Sequence, residues 1–460
     1  MKIRNLLLGS LAVAGLSTTG AYAADLGVLT SLDVCDSLGL SGLTISSDTN
    51  CLQITGEVKY KFTWGDYRGL PISVATGDGS VDFIGADDGI APGDDDNNDW
   101  QSRFDAWIKF VATADSDFGP AKAVLKLKEV NHRRTDNEVT GIGSSDTGGV
   151  VLDEAYVSIG DSTVIMAGKK GSIMNKGDDE PLNWLGLFNS EAVDLGVNWG
   201  DSVSLPDGGH VIQVTSDLGN GFSVSAGLEK LDGDNVVTDN VPPGDLADNG
   251  NAGTAVGVIA YKGDGISAHI TGVAAGVLDG EVEDWGFHAG FAGTFDNFKV
   301  VLAGAYGHND VLTVLNPVED YWNILASASA TFDMFTLAAS FEADDRDGAT
   351  DYGAGGSAAF AVSDGVTLTV GGRYYFQDIG PGYDNYQIAA SVSAEVTESI
   401  TLTGEVGYVN SENPVNVDDL FYGSAKLAWA PGGGYTSSIK GTVTSEEGYK
   451  IESEFKKTFE

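Results

Sequence analysis

The 460-residue sequence has little of what builds catalytic centres, metal sites or helical membrane spans. Cysteine occurs twice and histidine five times. A hydrolytic centre needs a nucleophile or an activated water beside a base, and no histidine stands in a recognisable catalytic motif, so we expect no enzyme. After the N-terminal segment, no apolar run approaches the roughly 20 residues of a spanning helix, so any membrane crossing must use strands. The scattered histidines are His132, His210, His269, His288 and His308.

Basic residues are also scarce. Lysine and arginine total 25 against 67 aspartates and glutamates, which gives a formal net charge of −42. Nucleic-acid phosphates would repel such a chain, so we expect no nucleic-acid partner. The acidity is equally compatible with a functional role and with a solubility or saline-habitat bias. The runs at Asp94–Asp96 and Asp344–Asp347 lack the spacing of calcium loops, so we expect neither a metal nor a cofactor.

Residues 1–23 have the organisation of an export signal. Met1–Arg4 is a short basic start, Leu6–Leu16 is apolar, and Ala21–Ala23 is a small-x-small cleavage site. The apolar run is too short for a retained membrane anchor. We therefore predict an exported protein whose mature chain begins at Ala24.

Cys35 and Cys51 flank a small polar loop that contains glycine. The export signal directs the chain to an oxidising compartment, where two such cysteines favour a disulfide. Zinc binding is not expected, because two sulfurs without a nearby histidine are too few ligands. We assign residues 24–52 to an N-terminal disulfide-loop segment and residues 53–460 to the main domain.

The chain is rich in glycine, with 63 residues against 11 prolines, and in alternating segments. In Tyr449–Phe459, mostly bulky apolar residues such as Ile451 and Phe455 alternate with charges such as Lys450 and Glu452. Strand side chains repeat with a period of two, so such a segment has one apolar and one polar face. Because the pattern recurs along the chain, we predict an all-β fold, a transmembrane antiparallel β-barrel that Tyr449–Phe459 closes against the strand near Ile54–Phe62.

Short and long connections separate the predicted strands. Tight turns such as Lys262–Gly265 and Phe295–Phe298 contrast with long acidic loops at Pro71–Asp99, Leu231–Gly253 and Asp344–Gly355. Short turns at one rim and long loops at the other are typical of outer-membrane barrels. Counting every turn gives about 18–20 strands.

Two motifs resemble the alphaproteobacterial outer-membrane porins, the Brucella/Rhizobium-type general-diffusion porins. One is the two-cysteine loop leading into Cys51–Tyr60, and the other is Leu152–Val157 followed by Met166–Lys169. The resemblance implies a homotrimer of 16-stranded barrels, whose third extracellular loop folds into the pore. It also implies an outer membrane of lipids and lipopolysaccharide as the surroundings. The chain departs from the family in its terminal Glu460 and its higher apparent strand count.

A pore selects among solutes by the charges at its narrowest point. The resemblance makes the segment after Lys169 the inserted loop, and Asp178, Asp179 and Glu180 would be its acidic tip at the constriction. Facing them, we predict a cationic pore wall, which would set a transverse field across the opening. The alternative is that these charges only face water in the lumen. The predicted wall residues are Lys59, Lys61, Arg103, Lys109, Lys126 and Lys128.

We therefore predict a porin with a water-filled channel for passive diffusion of ions and small hydrophilic solutes. A substrate-specific porin is the nearest alternative. A barrel-type surface enzyme and a structural or adhesive outer-membrane protein are more distant ones. Ion selectivity stays open, because the acidic total favours cations whereas the cationic wall would offset that preference.

Overall fold

A computed structural model of the protein describes residues 32–67, 72–75, 81–84, 99–135, 142–144, 149–174, 180–189, 208–231, 253–278, 280, 282, 284–308, 320–346, 348–378, 382–412 and 419–460. The predicted signal at residues 1–23 and the Asp94–Asp96 run lie outside these residues, as does most of the predicted loops at Pro71–Asp99 and Leu231–Gly253.

The described residues form one short helix and 24 strands. The helix α1 spans Leu32–Ser37. The first twelve strands are β1 (Thr44–Ser46), β2 (Cys51–Asp66), β3 (Ile72–Ala75), β4 (Val81–Ile84), β5 (Asp99–Ala114), β6 (Ala121–Thr135), β7 (Ile142–Ser144), β8 (Val151–Gly160), β9 (Thr163–Lys170), β10 (Gly209–Gly219), β11 (Phe222–Glu229) and β12 (Thr254–Gly263). The others are β13 (Ile266–Ala275), β14 (Trp285–Phe295), β15 (Phe298–His308), β16 (Asp320–Phe332), β17 (Phe335–Arg346), β18 (Ala349–Ser363), β19 (Val366–Gln377), β20 (Tyr383–Thr397), β21 (Ile400–Ser411), β22 (Asp419–Gly432), β23 (Tyr435–Thr444) and β24 (Tyr449–Phe459).

Twenty of the described strands form a closed antiparallel ring. The ring runs through β2, β5, β6 and β8 to β24, and each strand pairs with the next. Two short strands extend this sheet, β1 beside β2 and β7 beside the end of β6, while β3 and β4 pair only with each other. The prediction of an all-β barrel is confirmed.

The expectation of 16 strands is wrong, because the ring has 20. That number came from the family resemblance, whereas each tight turn in this sequence joins two ring strands. A ring with more strands is also wider, because barrel diameter grows roughly linearly with strand number.

The ring closes where the last strand meets the first ring strand. β24 pairs with β2 in a register that runs from Gly56 opposite Phe459 to Asp66 opposite Tyr449. The predicted pairing of Tyr449–Phe459 with the strand near Ile54–Phe62 is therefore confirmed. We call this β2–β24 pairing the seam.

The strands place apolar side chains outside and polar side chains inside. On β2, Val58 and Trp64 are 47% and 38% exposed, whereas Thr63 between the outward positions is 4% exposed. On β24, Ile451 and Phe455 are exposed and Lys450 and Glu452 are buried. An apolar outer face around a polar interior is the arrangement of an outer-membrane barrel. None of the helices among the described residues is long and apolar enough to span a membrane.

The tight turns fix the hairpin registers. In the β10–β11 and β12–β13 turns, Asn220 and Asp264 have φ of 52° and 48° and precede glycines that also have positive φ. Asn-Gly and Asp-Gly suit two-residue turns in which both residues need positive φ.

The prediction of a long loop at Asp344–Gly355 is wrong, because β17 ends only at Arg346 and β18 already begins at Ala349. Its polar composition has another cause, since Asp344 faces the barrel interior with 2% exposure.

Cys35 and Cys51 form a disulfide, as predicted. Cys35 lies on α1 and Cys51 is the first residue of β2, and both are buried. The bridge therefore ties the segment before the barrel to the strand that makes the seam.

We predict that a side chain at Gly56 weakens the seam. A Cβ atom there would overlap the Phe459 ring and lie 2.8 Å from the Trp107 carbonyl oxygen, which belongs to the β5 backbone. Overpacking typically costs about 1–3 kcal/mol. Gly56→Ala should lower the temperature at which the folded barrel converts to the unfolded form on a semi-native gel.

Gly257→Ala is the matched control, because Gly257 is an exposed strand glycine whose added Cβ would meet nothing within 4 Å. Equal transition temperatures for the two variants would contradict the steric role of Gly56.

Candidate functional site

The chain that follows β9 contacts the inner face of the ring. We call its described residues, 171–174 and 180–189, the inner segment. The backbone amide of Ile173 donates to Glu229 Oε1 at 3.1 Å, on β11. The amides of Leu182 and Trp184 donate to Ser327 Oγ on β16 at 2.8 Å and Ser357 Oγ on β18 at 3.0 Å. These acceptors lie on strands far apart in the ring, so the inner segment follows the inner face across many strands.

Apolar side chains fill the contact between the inner segment and the wall. Met174 is buried in a cluster with Val256, Val258, Val273 and Ala275. These valines occupy inward positions, which would face water if nothing covered them. Their burial under the inner segment explains why this part of the ring has apolar residues on its inner face. Burying one side chain of this size completely stabilises the folded state by about 1.5–3 kcal/mol.

Two further clusters continue this contact around the ring. Leu187 is buried with Val301, Ala303 and Leu325, from β15 and β16. Leu185 belongs to a cluster that contains residues of β20 to β22, with Trp184 packed against it; the others in that cluster are Tyr67, Ala389, Val409, Leu420 and Tyr422. The contacts of the inner segment thus extend to β22 from β10, where Gln213 Nε2 donates to the Gly171 carbonyl oxygen at 3.2 Å.

Arg373 on β19 anchors the inner segment. Its guanidinium is 3.7 Å from the centre of the Phe188 ring, and its Nη1 donates to the Leu187 carbonyl oxygen at 3.2 Å. Its Nε donates to Gln387 Oε1 at 2.9 Å. With only 5% of the residue exposed, these contacts replace water around a buried cation.

Two buried carboxylates hold the end of the inner segment. The Asn189 amide donates to Glu342 Oε1 at 3.0 Å, and its side-chain amide donates to Asp344. Glu342 and Asp344 are 1% and 2% exposed. Hydrogen bonds from amides stabilise carboxylates at such depth.

The six predicted wall cations lie on the inner faces of β2, β5 and β6. Their neighbours are carboxylates of the same wall. Lys59 pairs with Glu454 at 3.1 Å and Lys61 with Glu452 at 2.7 Å, across the seam. Arg103 pairs with Asp105 of its own strand at 2.9 Å.

The pairing continues on the other side of β5. Lys109 pairs with Glu154 at 2.9 Å, and Lys126 with Asp153 at 2.7 Å. Lys128 faces the interior opposite Trp107. We call the five ion pairs formed by Lys59, Lys61, Arg103, Lys109 and Lys126 with Glu454, Glu452, Asp105, Glu154 and Asp153 the charged ladder.

The carboxylates of the ladder are the functional candidates that sequence reasoning missed as wall residues. The signal was present, because the alternation of β24 puts Glu452 and Glu454 on the same face as Lys450 and Lys456. Their proximity to Lys59 and Lys61 needed the register of the seam. The expected cationic wall is thus a wall of mixed charge.

The predicted loop acids are only partly within the described residues. Asp178 and Asp179 lie outside them. Glu180 is exposed and forms no ion pair with a described residue. Acid–base contact between the inner segment and the six wall cations therefore stays a prediction.

Other features of the described residues are separate from the ladder. His269 Nε2 and His288 Nδ1 are 2.8 Å apart on the inner face, and no group of three or more metal-ligating residues occurs among the residues described. An apolar groove of about 400 Å³ lies on the outer face, where its lining includes the exposed Ile259, Ile270 and Leu302. Neither belongs to the charged ladder or to the inner segment.

We predict that Arg373 keeps the inner segment on the wall. Arg373→Ala removes the donor to Leu187 and the cation that stacks on Phe188. Backbone amides of 182–189 should then exchange hydrogen faster, while the amides of β19 stay protected, as measured by hydrogen-exchange mass spectrometry.

Arg103→Ala is the control, since Arg103 pairs with Asp105 of its own strand rather than with the inner segment. Unchanged exchange at 182–189 in folded Arg373→Ala would rule out the anchoring role.

Comparison with known proteins points to one family. The family model described as "Porin subfamily" matches residues 31–427. Among solved structures, the anion-selective porin from Comamonas acidovorans aligns at 11% identity with a TM-score of 0.34, covering 89% of this chain and 100% of its own. A mutant of the Rh. blastica porin aligns at 12% identity with a TM-score of 0.35, covering 89% of this chain and 100% of its own.

The outer-membrane expressed OmpT of Vibrio cholerae gives 10% identity, a TM-score of 0.37 and coverage of 91% of this chain and 100% of its own. No curated protein matches the sequence. Structural alignments this loose carry no argument about the channel, so the assignment rests on the family match.

Proposed function

Since this chain belongs to the porin family, it forms a channel in the outer membrane, and we propose that the channel passes ions and small hydrophilic solutes by passive diffusion and catalyses no reaction. The observation that carries the proposal is the division of the ring interior. The inner segment contacts β10 to β22, while the charged ladder lies on β24, β2, β5, β6 and β8. A half-exposed polar wall opposite a packed apolar one suits an aqueous path along the ladder.

The inner segment is, in this proposal, part of the constriction. Its contacts with Glu229, Ser327, Ser357 and Arg373 support that role, because they hold a segment inside the ring instead of at its rim. Asp178, Asp179 and Glu180 are the acids that would border the opening. These three acids would then face the charged ladder on the opposite wall, which carries both signs of charge.

Assembly and export complete the proposal. Residues 1–23 are a cleaved signal, residues 24–52 form the disulfide-loop segment, and the barrel assembles as a homotrimer among lipids and lipopolysaccharide. The exposed apolar outer face supports burial against lipid or a second barrel. Mass analysis of the mature protein and of its detergent-solubilised assembly would test both statements.

The channel function predicts stepwise conductance. Purified folded protein added to a planar lipid bilayer should give discrete current steps, since each insertion opens a water-filled path. Heat-unfolded protein is the control. Folded protein that adds no conductance would refute the proposal.

The constriction role of the loop acids predicts a change in ion selectivity. Replacing Asp178, Asp179 and Glu180 together by lysine should move the reversal potential in a salt gradient toward anion preference, because charges at a narrow, poorly screened point act over a few ångströms.

Asp264→Lys is the matched control, since Asp264 is an exposed acid in the tight β12–β13 turn. If the triple variant and Asp264→Lys shift the reversal potential equally per charge, the acids act only through bulk charge and the constriction assignment fails.

A further inference from the structure

The charged ladder carries both signs of charge side by side. Across the seam, Lys61 and Lys59 lie 2.7 and 3.1 Å from Glu452 and Glu454. Two flanking contacts extend the series, with Lys450 at 3.3 Å from Glu452 and Lys456 at 3.9 Å from Glu57. The wall therefore presents nearly balanced charge, in contrast to a ring of one sign, which would select simple ions by their charge.

The ladder charges are accessible to water apart from Glu452, which is 8% exposed. The side chains of Lys59 and Glu454 are each 35% exposed, Lys61 is 40% exposed and Arg103 is 50% exposed. The carboxylates beneath the inner segment, Glu342 and Asp344, are almost fully buried. Exposed ion pairs contribute little to stability, so they can open toward a solute at small cost.

The spacing of the ladder fits small solutes. Neighbouring strands lie about 4.7–4.9 Å apart, and inward residues of one strand follow each other at about 6.6 Å. Cations and carboxylates consequently lie a few ångströms apart across β24, β2 and β5, and the closest contacts join opposite signs on the diagonal, as Lys59 with Glu454 and Lys61 with Glu452. A solute that carries both charges a few ångströms apart can contact one group of each sign.

We propose that the charged ladder is a binding track for zwitterionic solutes of amino-acid size, an inference that rests on the proposed channel function. A simple cation that binds Glu454 displaces Lys59 and leaves its ammonium without a carboxylate, and a simple anion does the reverse. A zwitterion supplies both partners, so each opened pair is replaced by two new ones. The track therefore favours zwitterions over neutral solutes of equal size and gives little net preference for cations or anions.

The test compares two isomers, alanine and the uncharged lactamide, in swelling assays on vesicles that contain the protein. After subtraction of protein-free vesicles, alanine should enter faster than lactamide by about threefold, the effect expected of one half-exposed ion pair. The double variant Lys59→Gln with Glu454→Gln removes one pair without changing net charge. It should bring the alanine-to-lactamide ratio toward unity and leave the reversal potential for potassium chloride unchanged.

The control is His308→Gln with Asp320→Asn, which removes a 3.0 Å contact between an imidazole and a carboxylate outside the ladder. Semi-native gels verify that each variant folds. Equal entry of alanine and lactamide through a conducting wild-type channel would overturn the track while leaving the channel function intact. A ratio that stays high in the conducting Lys59/Glu454 variant would also overturn it. Absence of conductance in every folded form would instead overturn the channel function itself.

Discussion

The need to pair every backbone amide and carbonyl without water governs this structure. Hydrocarbon offers no hydrogen-bond partner, so a sheet in a membrane must close on itself. Here closure depends on the seam, where the whole of β24 pairs with β2 from Gly56 to Asp66. Everything inside the ring, including the inner segment and the charged ladder, is positioned by that register. In this register Lys59 lies opposite Lys456 and reaches Glu454 on the diagonal, because Lys61 is the residue opposite Glu454.

The interior is divided according to what covers it. Where the inner segment lies on the wall, valine, alanine and leucine pack against it, and buried polar residues such as Ser327, Arg373 and Glu342 bond its backbone. On the strands near the seam, lysine, arginine, aspartate and glutamate form inward ion pairs that range from half-exposed, as Lys59 with Glu454, to buried, as Lys450 with Glu452. Strands with the same apolar outer face thus form two different inner surfaces, one that holds the inner segment and one that carries the charged ladder.

Sequence reasoning predicted the local features well, because they depend on few neighbours. Alternation identified the faces of β2, β5 and β24, and glycine or aspartate turns marked hairpins such as the one at Lys262–Gly265. Sequence reasoning failed where the surroundings of a side chain depend on a segment that is distant in the chain. The acids around Asp344 resemble a solvated loop until Asn189 is known to bind them. Likewise, Glu452 and Glu454 are ordinary surface charges until the seam places them beside the lysines of β2. The strand number failed for another reason, since it was carried over from relatives instead of counted from the turns.

The turns with left-handed residues such as Asn220 and Asp264 have a kinetic consequence. Each makes a hairpin whose strands are neighbours in the chain, so most of the ring can form from contacts of short sequence separation. Among the described strands, only the seam pairs positions as distant as Gly56 and Phe459. The entropy of loop closure is therefore concentrated in one late encounter between the first and last ring strands. This connectivity allows the barrel to form as a growing ribbon, which stays open until the first and last ring strands pair.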